Sequence, residues 1–187
     1  MKYPVSVYGD PVLRKIAKPV DKDAEDLEQI IANMWETMYY SDGVGLAAPQ
    51  VGLSLRLFVV DGTEAEDEEP GMKDFRKVFI NPRIIEKTGH SWIMNEGCLS
   101  LPDIREDIER PDVVRIKYLD ENFNPREETY KGYAGRIIQH EYDHLEGVLF
   151  IDYLSPLRKR LIKSKLRDIA RGKVNPAYRI KIPVKSS

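Results

Sequence analysis

His140 and His144 stand four residues apart in the segment QHEYDHLEG, residues 139–147, with Glu141 between them. On a helix this spacing projects both imidazoles from one face about a turn apart, with a carboxylate alongside. That is a metal-chelating pair next to a group able to move protons, and a third ligand would complete it. The chain's single cysteine, Cys98, lies in EGCLSLP, residues 96–102. It can form no intrachain disulfide, which leaves a buried apolar filler, a reactive thiol or a metal ligand. A third segment, SDGVGLAAPQVG at residues 41–52, has almost no side-chain bulk. Such a stretch lets a backbone approach a neighbouring strand or a ligand closely, and Gln50 is its one long amide donor.

The elements that must hold these groups can be read from periodicity. Tyr133, Ile137, Ile138, Leu145 and Val148 recur at near-helical intervals, and Gly147 sits where a left-handed cap belongs, which predicts a helix over residues 132–146. Isoleucines beside polar ligands predict burial. Buried histidines and a carboxylate cost free energy unless something pairs with them, as a divalent cation would.

Upstream, Asp10-Pro11 opens a short turn or helix through Ile16, closed by Pro19. Leu27, Ile30, Ile31, Met34, Trp35 and Met38 mark an amphipathic helix from about Asp23 to Tyr40, whose apolar stripe is core packing. Strands are predicted at residues 55–60, 78–85, around 91–94, 113–119 and 126–130, with a turn near Thr88-Gly89 and His90 exposed beside it. In the fourth of these, Val114, Ile116 and Tyr118 face one way and Arg115 and Lys117 the other. Residues 64–69 read as an acidic surface loop closed by Pro70 and Gly71.

Ser155-Pro156 caps a last helix with apolar positions Leu157, Leu161, Ile162, Leu166 and Ile169, stopping at Gly172. Its outer face is basic through Arg158, Lys159, Arg160, Lys163, Lys165, Arg167 and Arg171, and residues 173–187 form a basic extension. The element order predicts an α+β single domain, with mixed, mainly antiparallel sheets packed around the central HExxH helix and further helices before and after it. Its 187 residues allow a proper core, and 29 basic against 31 acidic residues give a net charge of −2, no global argument for nucleic acid or an anionic membrane. The apolar runs are too short to span a bilayer, no secretory segment opens the chain, and a reducing cytoplasm is the expected location.

Occurring in this order and at this spacing, SDGVGLAAPQVG, EGCLSLP and QHEYDHLEG closely resemble peptide deformylase, the hydrolase that removes the formyl group from nascent N-formylmethionyl chains. The likeness runs from about Tyr8 to Leu166. It implies Cys98, His140 and His144 as metal ligands, Glu141 as general acid/base, and Gln50 with the Leu99 amide facing the oxyanion. Val44, Gly45, Glu96, Arg105, Tyr133 and Ile137 would lie around the substrate, Tyr133 and Ile137 lining the methionine pocket. The resemblance further implies one divalent ion per chain, Fe²⁺ physiologically with Zn²⁺, Ni²⁺ or Co²⁺ as substitutes, although a Cys-His-His set favours zinc by affinity. The implied partners are formylmethionyl nascent peptides, with ribosome docking through the basic last helix. The acidic loop looks longer than is typical, and the stretch beyond Gly172 lacks a counterpart in shorter members.

The chemistry supports these roles independently. Three protein ligands leave a fourth tetrahedral position for water, which the cation acidifies to make the nucleophile. Glu141 can take that water's proton and pass it to the leaving amine. Two rival readings remain: a zinc peptidase of the HExxH type, which usually takes histidine or glutamate as third ligand, and a metal-binding or ribosome-associated module without catalysis.

Overall fold

The computed structural model describes residues 1–24, 26–65 and 71–183. In chain order the elements are β1 (Val5–Ser6), a 3-10 helix (Pro11–Arg14), α1 (Leu27–Tyr40), β2 (Gly45–Ala47), a 3-10 helix (Ala48–Val51) and β3 (Leu57–Asp61). After a short 3-10 helix (Thr63–Ala65) come β4 (Arg76–Gly97), β5 (Arg105–Leu119), β6 (Pro125–Lys131), α2 (Gly132–Leu145), a 3-10 helix (Phe150–Tyr153), α3 (Pro156–Ala170) and β7 (Ile180–Lys181). Strands β2 to β6 form one antiparallel sheet in sequence order, and β1 and β7 form a separate parallel pair. Among the described residues no helix is long and apolar enough to cross a membrane.

The apolar run Leu57, Phe58, Val59, Val60 in β3 is unbroken because both faces of the strand are covered. Phe58 and Val60 pack with Ala134, Ile137, Ile138 and Leu145 of α2, whereas Leu57 and Val59 pack with Met34, Trp35 and Met38 of α1. Alternation along a strand delivers successive side chains to opposite layers, so α2 and α1 sandwich the sheet. Phe79 on β4 stacks on Phe58, at 4.6 Å between centroids, and packs at a tilt against Tyr118 of β5, at 4.3 Å, tying three strands into the layer beneath α2. A third cluster, with Leu101, Ile104, Ile108, Phe150, Ile162 and Ile169, seats α3.

The α+β class matches the sequence-based expectation; strands β1, β2 and β7 and the first half of β5, residues 105–112, were not expected, and four expected features differ locally. The strands predicted on either side of Thr88-Gly89 are one strand, β4: Gly89 takes a φ of +83° and the His90 N–H bonds Asp112 Oδ1 at 2.8 Å, so the irregularity is a bulge rather than a reversal. Helix α1 begins at Leu27 rather than near Asp23, because Asp26 adopts a left-handed φ of 65° and residues 21–24 make a turn. The helix expected through Ile16 is a single turn of 3-10 helix, capped by the Asp10 side chain on the Val12 N–H. Leu157 and Leu161 of α3 are 64% and 61% exposed, leaving a narrow seam of Ile162 and Ile169. Most of the expected acidic loop, residues 66–69, lies outside the described residues.

Candidate active site

Helix α2 and the end of β4 carry the chemistry. Strand β6 runs straight into α2, Gln139 donates to the Pro111 carbonyl at 2.9 Å, and the Leu145 carbonyl accepts from the Ala17 N–H at 2.8 Å. These bonds fix the middle and the C-terminal end of the helix, whose 3.6-residue turn sets His140 and His144 on one face. Gly147, with a φ of +69°, ends the turn where a Cβ would stand 2.7 Å from the Arg14 carbonyl. Cys98 directly follows β4, and its Sγ lies 3.3 Å from His144 Nε2. The sulfur and one ring nitrogen from each histidine fall within 4.8 Å of one another.

Around this trio is a buried charge network. Glu96 accepts from His140 Nδ1 at 2.9 Å, from Arg110 at 2.7 and 3.1 Å, and from Arg136 at 2.9 Å. Arg110 also donates to Asp143 Oδ2 at 2.6 Å, so two carboxylates answer two guanidiniums. Burial alone would raise the Glu96 carboxyl, but hydrogen bonds from His140 and Arg110 outweigh it and hold its pKa down at about 2. A carboxylate on Nδ1 leaves the other ring nitrogen of His140 for a ligand.

The two rings are driven apart electrostatically. Burial would lower the His140 pKa, yet its hydrogen bonds with Cys98 and Glu96 raise it well above the ordinary value. His144 is pushed well below by burial and then by the positive charge on His140. Sulfur and carboxylate thus converge on two buried imidazoles, a cluster that favours a positive charge, and a divalent cation satisfies it. The donor set fits such an ion: one soft thiolate and two imidazoles, with the ligand atoms already grouped.

A cleft of about 660 Å³ opens beside the trio, lined by Val44, Gly45, Gln50, Glu96, Leu99, Arg105, Tyr133, Ile137 and Glu141 together with Cys98 and His140. Every site residue expected from the sequence lines it except His144, which is 1% exposed and sits behind Cys98. Glu96 borders the cleft, is 5% exposed and is committed to His140 and two arginines. Gln50 accepts from the Ala47 N–H at 2.8 Å, and this turns its amide nitrogen toward Cys98 Sγ and Ser100 Oγ, both at 3.4 Å. Gly45 is required by Glu141, whose Oε1 would lie 2.5 Å from a Cβ at that position.

Burial pushes the Glu141 carboxyl up to about 7, and its buried Oε2 has no hydrogen-bond partner among the described residues. The sequence reading missed Arg110, Arg136 and Asp143. The first of these had a signal: Glu106, Ile108 and Arg110 share the buried phase of β5, and a charge in that phase requires a partner.

A cysteine sulfur and two imidazoles grouped beside a buried carboxylate raised to about 7 match the metal donors and proton carrier of a metal-dependent hydrolase. Comparison with known proteins narrows the class. The family model described as polypeptide deformylase matches residues 2–160. The chain is 55% identical over 190 residues to the peptide deformylase of Christiangramia forsetii, covering 98% of this chain and 97% of that protein. Among solved structures it is similar to a peptide deformylase from Legionella pneumophila, 40% identical with a TM-score of 0.81, covering 92% of this chain and 98% of that one. The Thermotoga maritima enzyme is 48% identical with a TM-score of 0.74, matched over 99% of its own length and 83% of this chain. This chain therefore belongs to the peptide deformylase family, hydrolases that use a single divalent metal to remove the N-formyl group from nascent polypeptides.

Proposed function

We propose that Cys98, His140 and His144 hold the cation and that Glu141, Gln50 and the Leu99 N–H carry out deformylation of N-formylmethionyl peptides. The observation that carries this reading is the grouping of one sulfur and two imidazole nitrogens, from segments some forty residues apart in sequence, within 4.8 Å at the wall of one cleft. When bound, the cation supplies Lewis acidity, acidifying water and polarising the formyl oxygen.

The remaining steps belong to the chain. Glu141, with its pKa raised by burial to about 7, accepts the proton of the attacking water and delivers it to the departing amine nitrogen. Attack builds negative charge on the formyl oxygen, and the Gln50 amide, already oriented by Ala47, donates to it together with the Leu99 N–H. Tyr133 and Ile137, on the first turns of α2, line the methionine side-chain pocket, and Val44, Gly45 and Arg105 border the peptide. Glu96 serves the substrate indirectly, by fixing the His140 ring. Gly43 and Gly45 leave a site small enough to favour a formyl hydrogen over the carbon of an ordinary peptide acyl group, which weighs against an endopeptidase.

Within this reading the physiological ion is Fe²⁺, with zinc, nickel or cobalt as substitutes, and the chain works in the cytoplasm as one catalytic domain carrying residues 173–187 as an extension. Contact with the ribosome runs through the exposed basic residues Arg160, Lys163 and Arg167 of α3. Anaerobic purification with metal analysis, followed by a formate assay on formyl-Met-Ala-Ser, tests the core of the proposal. One divalent ion per chain and formate release without cleavage of unformylated peptide are expected. Cleavage of internal bonds would overturn it, and co-sedimentation with ribosomes that ignores salt would remove the docking role.

A further inference from the structure

The C-terminal tail returns to the cleft. After α3 the chain turns at Gly172, and β7 pairs in parallel with β1, Val5 opposite Ile180 and Ser6 opposite Lys181. Just before β7, Pro176, Ala177 and Tyr178 line the same cleft as Cys98, His140, Glu141 and Gln50. The hydroxyl of the half-buried Tyr178 donates to the Leu99 carbonyl at 2.8 Å, across 79 residues of sequence. All of this tail lies beyond residue 160, where the match to the family model ends.

Three successive carbonyls pin the loop that follows β4. Cys98 O accepts from the Leu101 N–H at 2.9 Å, Leu99 O from Tyr178, and Ser100 O from the Tyr8 N–H at 2.9 Å. The outer two bonds are backbone to backbone, and the middle one depends on a single side chain. The Leu99 N–H has no acceptor among the described residues. The Leu99 N–H shares its peptide plane with the Cys98 carbonyl, which the Leu101 N–H holds, and that plane hinges at the Leu99 Cα on the next plane, whose carbonyl Tyr178 holds, so the hydroxyl secures the far side of the hinge. A donor aimed at developing charge is worth most when it need not reorient during the reaction.

We propose that Tyr178 is a positioning residue for deformylation, holding Leu99 so that its N–H stays aimed at the formyl oxygen. This rests on the oxyanion roles given above to Gln50 and Leu99. Tyr178→Phe keeps the ring and the cleft wall and deletes only the hydroxyl. In the cation-loaded enzyme acting on formyl-Met-Ala-Ser, kcat should fall about three- to tenfold with KM changed by less than about twofold. Metal content and melting temperature should match the wild type. Gln50→Ala is measured in parallel: if it is as active as the wild type, the oxyanion assignment fails and the Tyr178 role with it. A slow Gln50→Ala beside a Tyr178→Phe of wild-type kcat overturns the Tyr178 role alone. A raised KM at unchanged kcat also overturns it, because the hydroxyl would then serve ground-state binding. So does a lowered melting temperature at unchanged kcat, which would give Tyr178 to the fold.

Discussion

Helices α2 and α3 are nearly equal in length, 14 and 15 residues, and both are rich in charged groups, yet they treat charge in opposite ways. On α2, Arg136, Glu141, Asp143 and His144 are buried, and two of them form ion pairs, Arg136 with Glu96 and Asp143 with Arg110. On α3 only Ile162 and Ile169 are buried. Arg158 there binds the nearly buried Glu106 at 2.6 to 3.0 Å, while Arg160, Lys163 and Lys165 are exposed. A charge removed from water must be held in one geometry or it destabilises the fold, and that requirement orients His140 for a ligand. An exposed charge meets no such demand and stays free for an outside partner. Rigid chemistry and adaptable docking thus fall on different helices.

Substitutions inside the α2 site should break the comparison hardest. Glu141→Ala should retain the cation and lose about a hundred- to ten-thousandfold in kcat, read by formate release and metal analysis. Cys98→Ala should lose the cation itself along with activity, because two imidazoles remain of the three donors. A Glu141→Ala protein of full activity would end the proposed mechanism. Next in size is Arg110→Ala, which leaves Asp143 without a guanidinium at 8% side-chain exposure and Glu96, at 4%, with only Arg136 and His140. It should destabilise the fold by about 3–5 kcal/mol in denaturant titration.

Acid should reach the same network through Glu96. Its ordinary pKa of 4.5 is lowered to about 2 in the fold, so its stabilising contribution is complete above 4.5 and disappears as pH falls toward 2. The measurement belongs on chelated protein, where loss of a cation adds nothing to the curve. Glu96→Gln should flatten that acid limb. A limb of unchanged steepness would show that Glu96 is not the group responsible.

How much of this could be read in advance depends on distance along the chain. The helical histidine pair was legible because four residues make about one turn, and the strand at 113–119 with its turn back into 126–130 was legible because Val114, Ile116 and Tyr118 alternate with Arg115 and Lys117, whereas strand β2 was not. The bulge at Gly89 was read as a turn because glycine signals a left-handed residue without saying whether the chain reverses there. Leu157 and Leu161 were read as core because periodicity gives the face of a helix and not the width of its contact. Tyr178 left no signal: its bond to Leu99 exists only because β7 finds β1, a pairing of two short strands at opposite ends of the chain.

The smallest effects should come from α3, and they sharpen the contrast by their absence. Arg160→Ala and Lys163→Ala remove charges that are exposed and outside the cleft, so each should shift stability by no more than about 0.5 kcal/mol. Their kcat and KM on formyl-Met-Ala-Ser should match the wild type, since a tripeptide meets only the cleft. Co-sedimentation with ribosomes at low salt should weaken, and the dependence on salt should become shallower with each charge removed. If the double substitution slows tripeptide deformylation while leaving ribosome binding intact, the separation of duties between α2 and α3 is wrong, and the basic face serves the active site instead.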